Sequence, residues 1–235
     1  MLPKFQTLSL CLDDALASIE LNRPRKANAL NAQMANELIE AFRWLDQTPA
    51  ARVGVVSSAG KFFTSGIDLE YLQQIQLDVL GKPAEIRRAH LQQIISHLQQ
   101  VTLAIEECRK PVVAAIHSIC FGFGVDLAAA CDLRYCSKRA RFSVKEVDLA
   151  IVADMGTLQR LPGLVGEGRA RELAFTGRDF YGPEAESINF VNQCFPDQEQ
   201  LQQHVATLAQ SLAEKSPRTL RGIKQSMNFS RDQSL

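Results

Sequence analysis

"VVAAIHSICFGFGVDLAAACDLRYC", residues 112–136, places a glycine-containing loop between a run of apolar residues and a short apolar helix. The run at 112–119 has the length and composition of a buried strand. The segment "CFGFG" at 120–124 then turns the chain into a helix at 125–131, and "DLRYCSKRARFSV" resumes extended structure. The stretch thus alternates predicted strands with a helix.

A second stretch, residues 53–76, repeats the order of strand, glycine loop and helix. In it, "VGVVSSA" (53–59) reads as a buried strand, and "GKFFTSGIDL" (60–69) is the loop that follows. A helix N-terminus carries unpaired backbone N–H groups and a partial positive charge, so two such loops could converge on one oxygen atom. The alternative is that the glycines serve only to make tight turns.

Apolar periodicity and capping residues predict the remaining elements. Residues 4–21 indicate two short strands around a turn at Asp13-Asp14. No low-complexity linker divides the chain. The predicted helices are 32–47 with Asn31 as its N-cap, 84–109 ended by Pro111, 166–175, 198–214, and a last helix capped by Ser216 with Pro217 in its first turn.

The composition of the 235 residues excludes several classes of protein. Apolar residues make up 46%, charged residues 22%, and the formal net charge is zero, so neither a nucleic-acid nor a membrane-surface partner is expected. The six cysteines contain no Cys-x-x-Cys pair and the four histidines have no metal-binding spacing, so we predict reduced thiols and no metal site. No Gly-x-Ser-x-Gly nucleophile motif is present either.

Targeting signals are also missing from the sequence as it stands. No apolar run approaches the roughly 20 residues of a membrane span, and "MLPKFQTLSL" lacks the pattern of a signal peptide. We therefore expect a cytoplasmic protein, with a bacterial cytoplasm as the first expectation and a processed organellar protein as the alternative.

Three motifs, in order along the chain, carry a family resemblance: "FFTSGIDL" (62–69), "SICFGFGVDLAAACDLRYC" (118–136) and "VKEVDLAIVADMGTLQRLP" (144–162). Together they resemble the enoyl-CoA hydratase/isomerase, or crotonase, superfamily, and more narrowly its Δ3,5-Δ2,4-dienoyl-CoA isomerase branch. The resemblance implies an α/β spiral of repeated β-β-α units followed by C-terminal helices. It places the spiral core at 1–195 and the start of a helical region, shortened relative to the family, at 196–235.

The resemblance also implies an acyl-CoA thioester as substrate, in fatty-acid β-oxidation. Its carbonyl oxygen would lie in an oxyanion hole made by the backbone N–H groups of Ile67 and Phe123. The family most often has three glycines where this chain has Gly122-Phe123-Gly124, so we expect the oxyanion contact to survive and the acyl pocket to be reshaped. The substrate-binding residues implied in this way are Ser65, Gly66, Ile67, Asp68, Leu69, Phe123 and Gly124.

Three acids occupy family positions for catalytic carboxylates: Asp126, Glu146 and Asp154. Each also has a structural alternative. Asp126 could satisfy backbone N–H groups at a helix start, Glu146 could pair with Lys145 or Arg141, and Asp154 could cap the helix that begins near Met155. Asp148 is interpreted as structural, ion-paired or capping.

In the dienoyl-CoA isomerase branch, the reaction moves the double bonds of a 3,5-dienoyl-CoA to the 2,4 positions. Asp154 would take the proton from C2, Glu146 would give one to C6, and Asp126 would tune Glu146 as a nearby like charge. Burial and a like charge both raise a carboxyl pKa toward neutrality, where acid–base catalysis is most effective.

Other expectations from the resemblance concern partners. Trimers or dimers of trimers are the usual assembly, and no cofactor is implied because CoA is part of the substrate. Arg23, Arg25 and Lys26 in "NRPRKAN" are candidate contacts for the CoA phosphates, with solvated surface charge as the alternative.

Rival functions remain open from the sequence. An enoyl-CoA hydratase, which adds water to a 2-enoyl-CoA, is the nearest, and a Δ3-Δ2-enoyl-CoA isomerase is another. Some superfamily members bind RNA through a lysine-rich helix, but "QMANELIEAFRWLDQ" (33–47) has three acids and no lysine. A non-catalytic scaffold is disfavoured because the set of acids is intact.

Overall fold

Two β-sheets organise the chain in the computed structural model, which describes residues 2–232. The larger sheet has the order β1-β2-β3-β4-β6-β9, and the smaller has the order β5-β7-β8. The strands are β1 (Leu8–Asp13), β2 (Leu16–Leu21), β3 (Val53–Ser58), β4 (Val112–Ile116), β5 (Ile119–Phe121), β6 (Leu133–Ser137), β7 (Arg141–Ser143), β8 (Phe180–Tyr181) and β9 (Gln193–Phe195).

The larger sheet combines an antiparallel hairpin with a parallel core. Strands β1 and β2 pair antiparallel around residues 14–15, which confirms the two predicted strands, and β2, β3, β4, β6 and β9 then pair in parallel. All five residues of β4 are buried, as its run of Val, Ala and Ile predicts for a strand covered on both faces. The loops that follow β3 and β4 therefore leave the same edge of the sheet.

The predicted strand at 112–119 is wrong in its second half. Strand β4 ends at Ile116, and Ile119 begins β5, which pairs with β7 in the other sheet. His117 lies at this break, where its carbonyl accepts a hydrogen bond from the Ser137 hydroxyl (2.7 Å). Because the residues after the break are as apolar as those before it, the composition did not reveal the change of sheet.

The helices follow the apolar periodicity closely. The Asn31 side chain accepts a hydrogen bond from the Met34 N–H (2.9 Å), so the predicted N-cap is confirmed. The helix expected to begin near Met155 is present at 157–165, two residues later than expected, and it contains Pro162. The helices are α1 (Ala32–Gln47), α2 (Leu69–Gly81), α3 (Ala84–Glu107), α4 (Phe123–Ala130), α5 (Thr157–Val165), α6 (Glu167–Thr176), α7 (Gly182–Ser187), α8 (Gln198–Ala213) and α9 (Pro217–Asp232).

The core lies on both faces of the larger sheet. Helices α1, α3 and α4 contribute to the main apolar cluster on one face, together with side chains of β2 and alternate residues of β4 (Val112, Ala114 and Ile116). On the other face, α8 packs residues spaced by four, Leu201, Val205, Ala209 and Ala213, against the sheet. Within residues 2–232 no helix is both long and apolar enough to cross a bilayer.

Helix α9 is attached to the core by one buried cation. The Lys224 side chain is 8% exposed, and its Nζ donates to Asp132 Oδ2 (2.8 Å), to the Ile105 carbonyl (3.0 Å) and to the Lys110 carbonyl (3.2 Å). These acceptors lie at the end of α3 and at the loops that begin β4 and β6. Lys224 thus ties the last helix to the start of two strands, and Asn228 adds a hydrogen bond to the Glu106 carbonyl at the end of α3 (3.1 Å). The proposed division at 195/196 stays a prediction.

Replacing Lys224 with methionine should destabilise the protein by roughly 2 kcal/mol, because buried carbonyl groups and Asp132 lose a charged donor. Urea unfolding at neutral pH measures the change. The exposed Arg221→Met in the same helix is the matched control and should change stability by less than about 0.5 kcal/mol. Equal stability of the two variants would contradict the role of Lys224.

Candidate active site

The two glycine-containing loops are bound side by side. Thr64 forms an isolated parallel bridge with Cys120, and the Thr64 N–H donates to the Ile119 carbonyl (2.9 Å). Ile67 follows Thr64 by three residues, and Phe123 follows Cys120 by three. This register places Ile67 and Phe123 at the carboxyl edge of the parallel strands, and both residues line one cavity.

Neither of these amides donates a hydrogen bond to any group within residues 2–232. Phe123 is the first residue of α4, where a helix leaves its N–H groups without intrahelical acceptors. The residues before them, Gly66 and Gly122, have positive φ angles of 104° and 48°, which favour glycine. Two residues whose amides have no acceptor within residues 2–232 therefore line the cavity.

Phe123 fits this loop without backbone strain. The positive φ falls on Gly122, while Phe123 has a negative φ and begins the helix. Its side chain is 2% exposed and packs in the main apolar cluster at the cavity wall. The departure from a run of three glycines is thus accommodated by the core, and the reshaping of an acyl pocket stays a prediction.

The cavity has a volume of about 790 Å³, and acidic and apolar residues both line it. The two loops border it together with Asp126, Glu146 and Asp154. Apolar residues of α2 and α3 form much of the remaining wall. These apolar residues include Leu72, Ile75, Val79, Ile94, Ile95 and Leu98.

Glu146 lies in a 3-10 helix, Lys145–Leu149, with its carboxylate against the second loop. A Cβ atom added at Gly122 would lie 3.1 Å from Glu146 Oε1. Glu146 Oε2 is buried and has no hydrogen-bond partner in the described part of the chain. Burial, followed by the negative charge of Asp126, raises the pKa of Glu146 to about 7.

The structural alternative for Glu146 is wrong, because its proposed partners are engaged elsewhere. Lys145 Nζ pairs with Asp148 (3.1 Å), and Arg141 pairs with Asp179 (3.0 Å). The predicted ion pair of Asp148 is confirmed. Of the two acids in the 3-10 helix, Asp148 has a cationic partner and Glu146 has none within residues 2–232.

Asp126 is the most deeply buried of the three acids, with 1% of its surface exposed. Its Oδ1 accepts hydrogen bonds from both the N–H (2.7 Å) and the hydroxyl (2.6 Å) of Thr157. Burial raises the pKa of Asp126 to about 6, even though the bonds from Thr157 lower it, and the charge of Asp154 raises it further. Asp126 therefore does accept from a backbone N–H group at a helix start, as the structural alternative expects. The helix is α5, however, and not α4, which carries Asp126.

Asp154 is half-buried and lies in the turn that precedes α5. The N-cap of that helix is Gly156, so the alternative in which Asp154 caps the helix is wrong. Burial raises the pKa of Asp154 above its ordinary range. Its charge in turn raises the pKa of both Asp126 and Glu146, which means that the three carboxyls are close enough to interact.

Five of the predicted substrate-binding residues line this cavity, and two do not. Asp68 instead caps α2, where it accepts from the Glu70 N–H (3.1 Å). Gly124 faces packed atoms, because an added Cβ would lie 2.6 Å from Thr64 Cγ2. The residues that line the cavity are Ser65, Gly66, Ile67, Leu69 and Phe123.

The candidate phosphate contacts lie beside the first loop, outside the cavity wall. Arg23 pairs with Asp68 (3.0 Å), and Lys26 pairs with Glu70 (2.8 Å). Arg25 is exposed. Two of the three cations therefore already have acidic partners.

Sequence reasoning missed the residues that hold the acids in place. Thr157 bonds Asp126, while Gln99 and Thr102 of α3 bond the backbone at Asp154 and Met155. Thr157 lies inside the third family motif, so attention to that motif could have found it. The two α3 residues carry no local signal, since a polar residue within an amphipathic helix is ordinarily assigned to its solvent face.

An arrangement of this kind suits proton transfer next to a carbonyl group. Unused backbone donors can stabilise an oxyanion, and carboxyls with a raised pKa can accept and donate protons near neutral pH. Among residues 2–232 no group of three or more His, Cys, Asp and Glu side chains is arranged to hold a metal ion.

Comparisons with known proteins agree with this chemistry. The sequence profile of the enoyl-CoA hydratase/isomerase family matches residues 12–235. The peroxisomal Δ3,5-Δ2,4-dienoyl-CoA isomerase of Arabidopsis thaliana is 45% identical over 224 residues, covering 95% of this chain and 81% of the relative. The mitochondrial enzyme of the same name from Rattus norvegicus is 43% identical over 221 residues, covering 92% of this chain and 67% of the relative.

Among solved structures, an enoyl-CoA hydratase from Bacillus anthracis matches with a TM-score of 0.86 at 29% identity, over 97% of this chain and 85% of that one. The chain belongs to the enoyl-CoA hydratase/isomerase family. The predicted fold class, a crotonase-like α/β spiral with C-terminal helices, is confirmed.

Ionisation of the buried Glu146 side chain should destabilise the folded protein at alkaline pH. Its pKa of about 7 exceeds the ordinary value of 4.5, so between these pH values the folded protein keeps a proton that the unfolded chain has lost. Stability therefore falls as pH rises through this window, and the cost is complete above it. We expect Glu146→Gln, which cannot ionise, to be more stable than the parent at pH 8 by on the order of 3 kcal/mol.

At pH 5 the two proteins should differ far less, and urea unfolding at both pH values tests this. The matched control is Glu40→Gln, at an exposed position of α1, which should give the same small difference at both pH values. A Glu146→Gln advantage that does not depend on pH would contradict the explanation.

Proposed function

We propose that the protein is a Δ3,5-Δ2,4-dienoyl-CoA isomerase of fatty-acid β-oxidation. The observation that carries the proposal is that Glu146 and Asp154, two carboxyls with raised pKa values, border the same cavity as the unused amides of Ile67 and Phe123. The relatives from Arabidopsis thaliana and Rattus norvegicus carry this name, and the family acts on acyl-CoA thioesters.

The reaction begins at the thioester carbonyl. Its oxygen accepts hydrogen bonds from the Ile67 and Phe123 N–H groups. Loss of a proton from C2 moves negative charge onto this oxygen, and the two donors stabilise that charge more than they stabilise the neutral carbonyl. Each donor contributes roughly 3 kcal/mol in sites of this type.

Two proton transfers then complete the isomerisation. The ionised Asp154 takes the proton from C2, and the electron pair spreads through C3=C4 and C5=C6. The protonated Glu146 gives its proton to C6, which leaves double bonds at C2=C3 and C4=C5. A pKa of about 7 for Glu146 suits this donation, because a substantial fraction of the side chain is protonated at neutral pH.

Asp126 acts through Glu146 in this scheme. Its charge raises the pKa of Glu146 and so helps to keep that acid protonated. Asp126 Oδ1 is engaged by two hydrogen bonds from Thr157, which hold the carboxylate in place. A tuning role therefore suits Asp126 better than a direct proton transfer.

The apolar part of the cavity wall fits the remainder of the acyl chain. Ile94, Ile95 and Leu98 of α3 and Leu72 and Val79 of α2 belong to this wall, and nothing polar is needed beyond C6. No cofactor is required, since the carboxyls carry both protons and CoA belongs to the substrate.

Hydration of a 2-enoyl-CoA is the competing activity, favoured by the likeness to the Bacillus anthracis hydratase. In hydratases of this family two glutamates hold the attacking water. Here Asp126 is one methylene shorter than glutamate and is already bonded to Thr157, while Asp154 adds a third carboxyl. These differences favour isomerisation.

Three further expectations belong to this proposal. Arg23, Arg25 and Lys26 would reach the CoA phosphates, which requires Arg23 and Lys26 to share or leave their acidic partners. Assembly as a trimer or dimer of trimers is supported by large apolar side chains on the surface, such as Val152 and Phe175, 69% and 72% exposed. The location would be a bacterial cytoplasm or, as the names of the relatives suggest, an organelle.

The central test is an ultraviolet assay that follows formation of 2,4-dienoyl-CoA from 3,5-octadienoyl-CoA. Asp154→Asn and Glu146→Gln should each lower kcat at least about 100-fold, the usual scale of a general acid or base contribution. Asp148→Asn is the matched control, because this carboxyl borders the same cavity but is paired with Lys145, and its kcat should stay within about threefold of the parent.

Undiminished turnover in both acid variants would refute the assignment of the two proton carriers. A parent protein that hydrates crotonyl-CoA but leaves 3,5-octadienoyl-CoA unchanged would replace the proposed activity with hydration.

The pH profile tests the role of Asp126. Activity requires protonated Glu146, so kcat/KM should fall as pH rises through about 7. In Asp126→Asn the like charge is gone and the pKa of Glu146 drops, so this alkaline limb should move to lower pH. The asparagine oxygen can still accept from Thr157, which preserves the local packing. An alkaline limb that stays in place or moves to higher pH would contradict the tuning role.

A further inference from the structure

Helix α3 reaches the backbone of the segment that carries Asp154. The Gln99 side-chain N–H donates to the Asp154 carbonyl (2.6 Å), and the Thr102 hydroxyl donates to the Met155 carbonyl (2.7 Å). Thr102 is 1% exposed, so its hydroxyl is buried at this contact. The two residues are three apart and therefore lie on the same side of the helix.

A third residue of α3 continues this polar stripe. Glu106, four residues beyond Thr102, pairs with Arg160 of α5 (2.6 Å). The Arg160 guanidinium lies over Gly156, where an added Cβ would come within 1.7 Å of Nη1. We call residues 154–156 the Asp154 turn, and Gln99, Thr102 and Glu106 the α3 clamp.

The Asp154 carboxylate belongs to the turn whose backbone α3 holds, because Gln99 bonds the carbonyl of Asp154 itself. Gly156, with a φ of 114°, completes a turn that a residue with a side chain would strain. Displacement of the turn would therefore carry the carboxylate with it.

We infer that Gln99 and Thr102 are positioning residues for Asp154, an inference that rests on the proposed function. They fix the two carbonyls of the turn and thereby the distance from the carboxylate to C2 of the substrate. A displacement of about 1 Å can cost about 100-fold in rate when a proton must move between fixed atoms. Ile95 and Leu98 of the same helix line the acyl cavity, so one rigid element sets both the path of the acyl chain and the position of the base.

Removal of the two donors tests the inference. Thr102→Val and Gln99→Leu should each lower kcat about 10- to 50-fold with KM within about threefold of the parent, because the turn loses a hydrogen bond while the acyl wall remains. Thr102→Ser keeps the hydroxyl and should restore kcat to within about threefold. Gln100→Leu is the matched control, since this neighbour on α3 faces a surface groove away from the Asp154 turn.

A double-mutant cycle separates positioning from general damage. In an Asp154→Asn background, Thr102→Val and Gln99→Leu should lower kcat by less than about twofold, because there is no base left to position. Losses as large as those in the parent background would overturn the inference, and so would unchanged kcat in both single variants. Circular dichroism verifies folding, and if Thr102→Val does not fold, the same cycle with Gln99→Leu decides the question.

The cycle also distinguishes this inference from the proposed function. A parent that does not isomerise 3,5-octadienoyl-CoA removes the proposed function and the inference with it. An active parent whose kcat is insensitive to the α3 clamp overturns the positioning role alone.

Discussion

The parallel bridge between Thr64 and Cys120 is the constraint on which the site depends. It joins two loops that leave neighbouring regions of the fold, and it fixes their relative register. Ile67 and Phe123 follow this bridge at equal spacing, and both residues, whose amides have no acceptor within residues 2–232, line one cavity. Gly66 and Gly122 make the required turns, which leaves the residues after them free to carry side chains. The phenylalanine at 123 is tolerated for this reason.

Differences in hydrogen bonding separate three carboxyls that share one cavity. Asp126 is buried but satisfied by Thr157, Glu146 is buried with Oε2 unpartnered, and Asp154 is only half-buried. Burial raises the pKa of all three. The charge of Asp154 raises the pKa of Asp126 further, and the charges of Asp126 and Asp154 do the same for Glu146. Because no cation pairs with Glu146 within residues 2–232, its ionisation lowers the stability of the folded protein above neutral pH. Its pKa of about 7 also allows the side chain to exchange protons near neutral pH. A buried acid that lowers the stability of the fold is expected at a functional site.

Local features of the sequence predicted the local features of the fold. The Asn31 cap, the apolar stripe of α1 and the hairpin around residues 14–15 all follow from short-range periodicity, and all three are present. The chain's change of sheet at His117 was not predictable in this way, because it depends on pairing with β7 about twenty residues later. Family motifs located the acids, but the bond from Thr157 to Asp126 joins residues 31 apart and had no short-range signal. The α3 clamp was hidden for the same reason.

Fold alone does not decide which reaction this family scaffold performs. The Bacillus anthracis hydratase shares the architecture at a TM-score of 0.86, whereas relatives named as dienoyl-CoA isomerases share 43–45% of the sequence. The chemistry must therefore depend on a few side chains, and an acid at position 154 is useful only if its distance from C2 is fixed. A carboxylate on an unsupported turn would sample many positions and would also be free to turn toward solvent. In the proposed isomerase, Gln99 and Thr102 of helix α3 limit that freedom by bonding the carbonyls of Asp154 and Met155. An isomerase on this scaffold would then require support behind the acid as well as the acid itself.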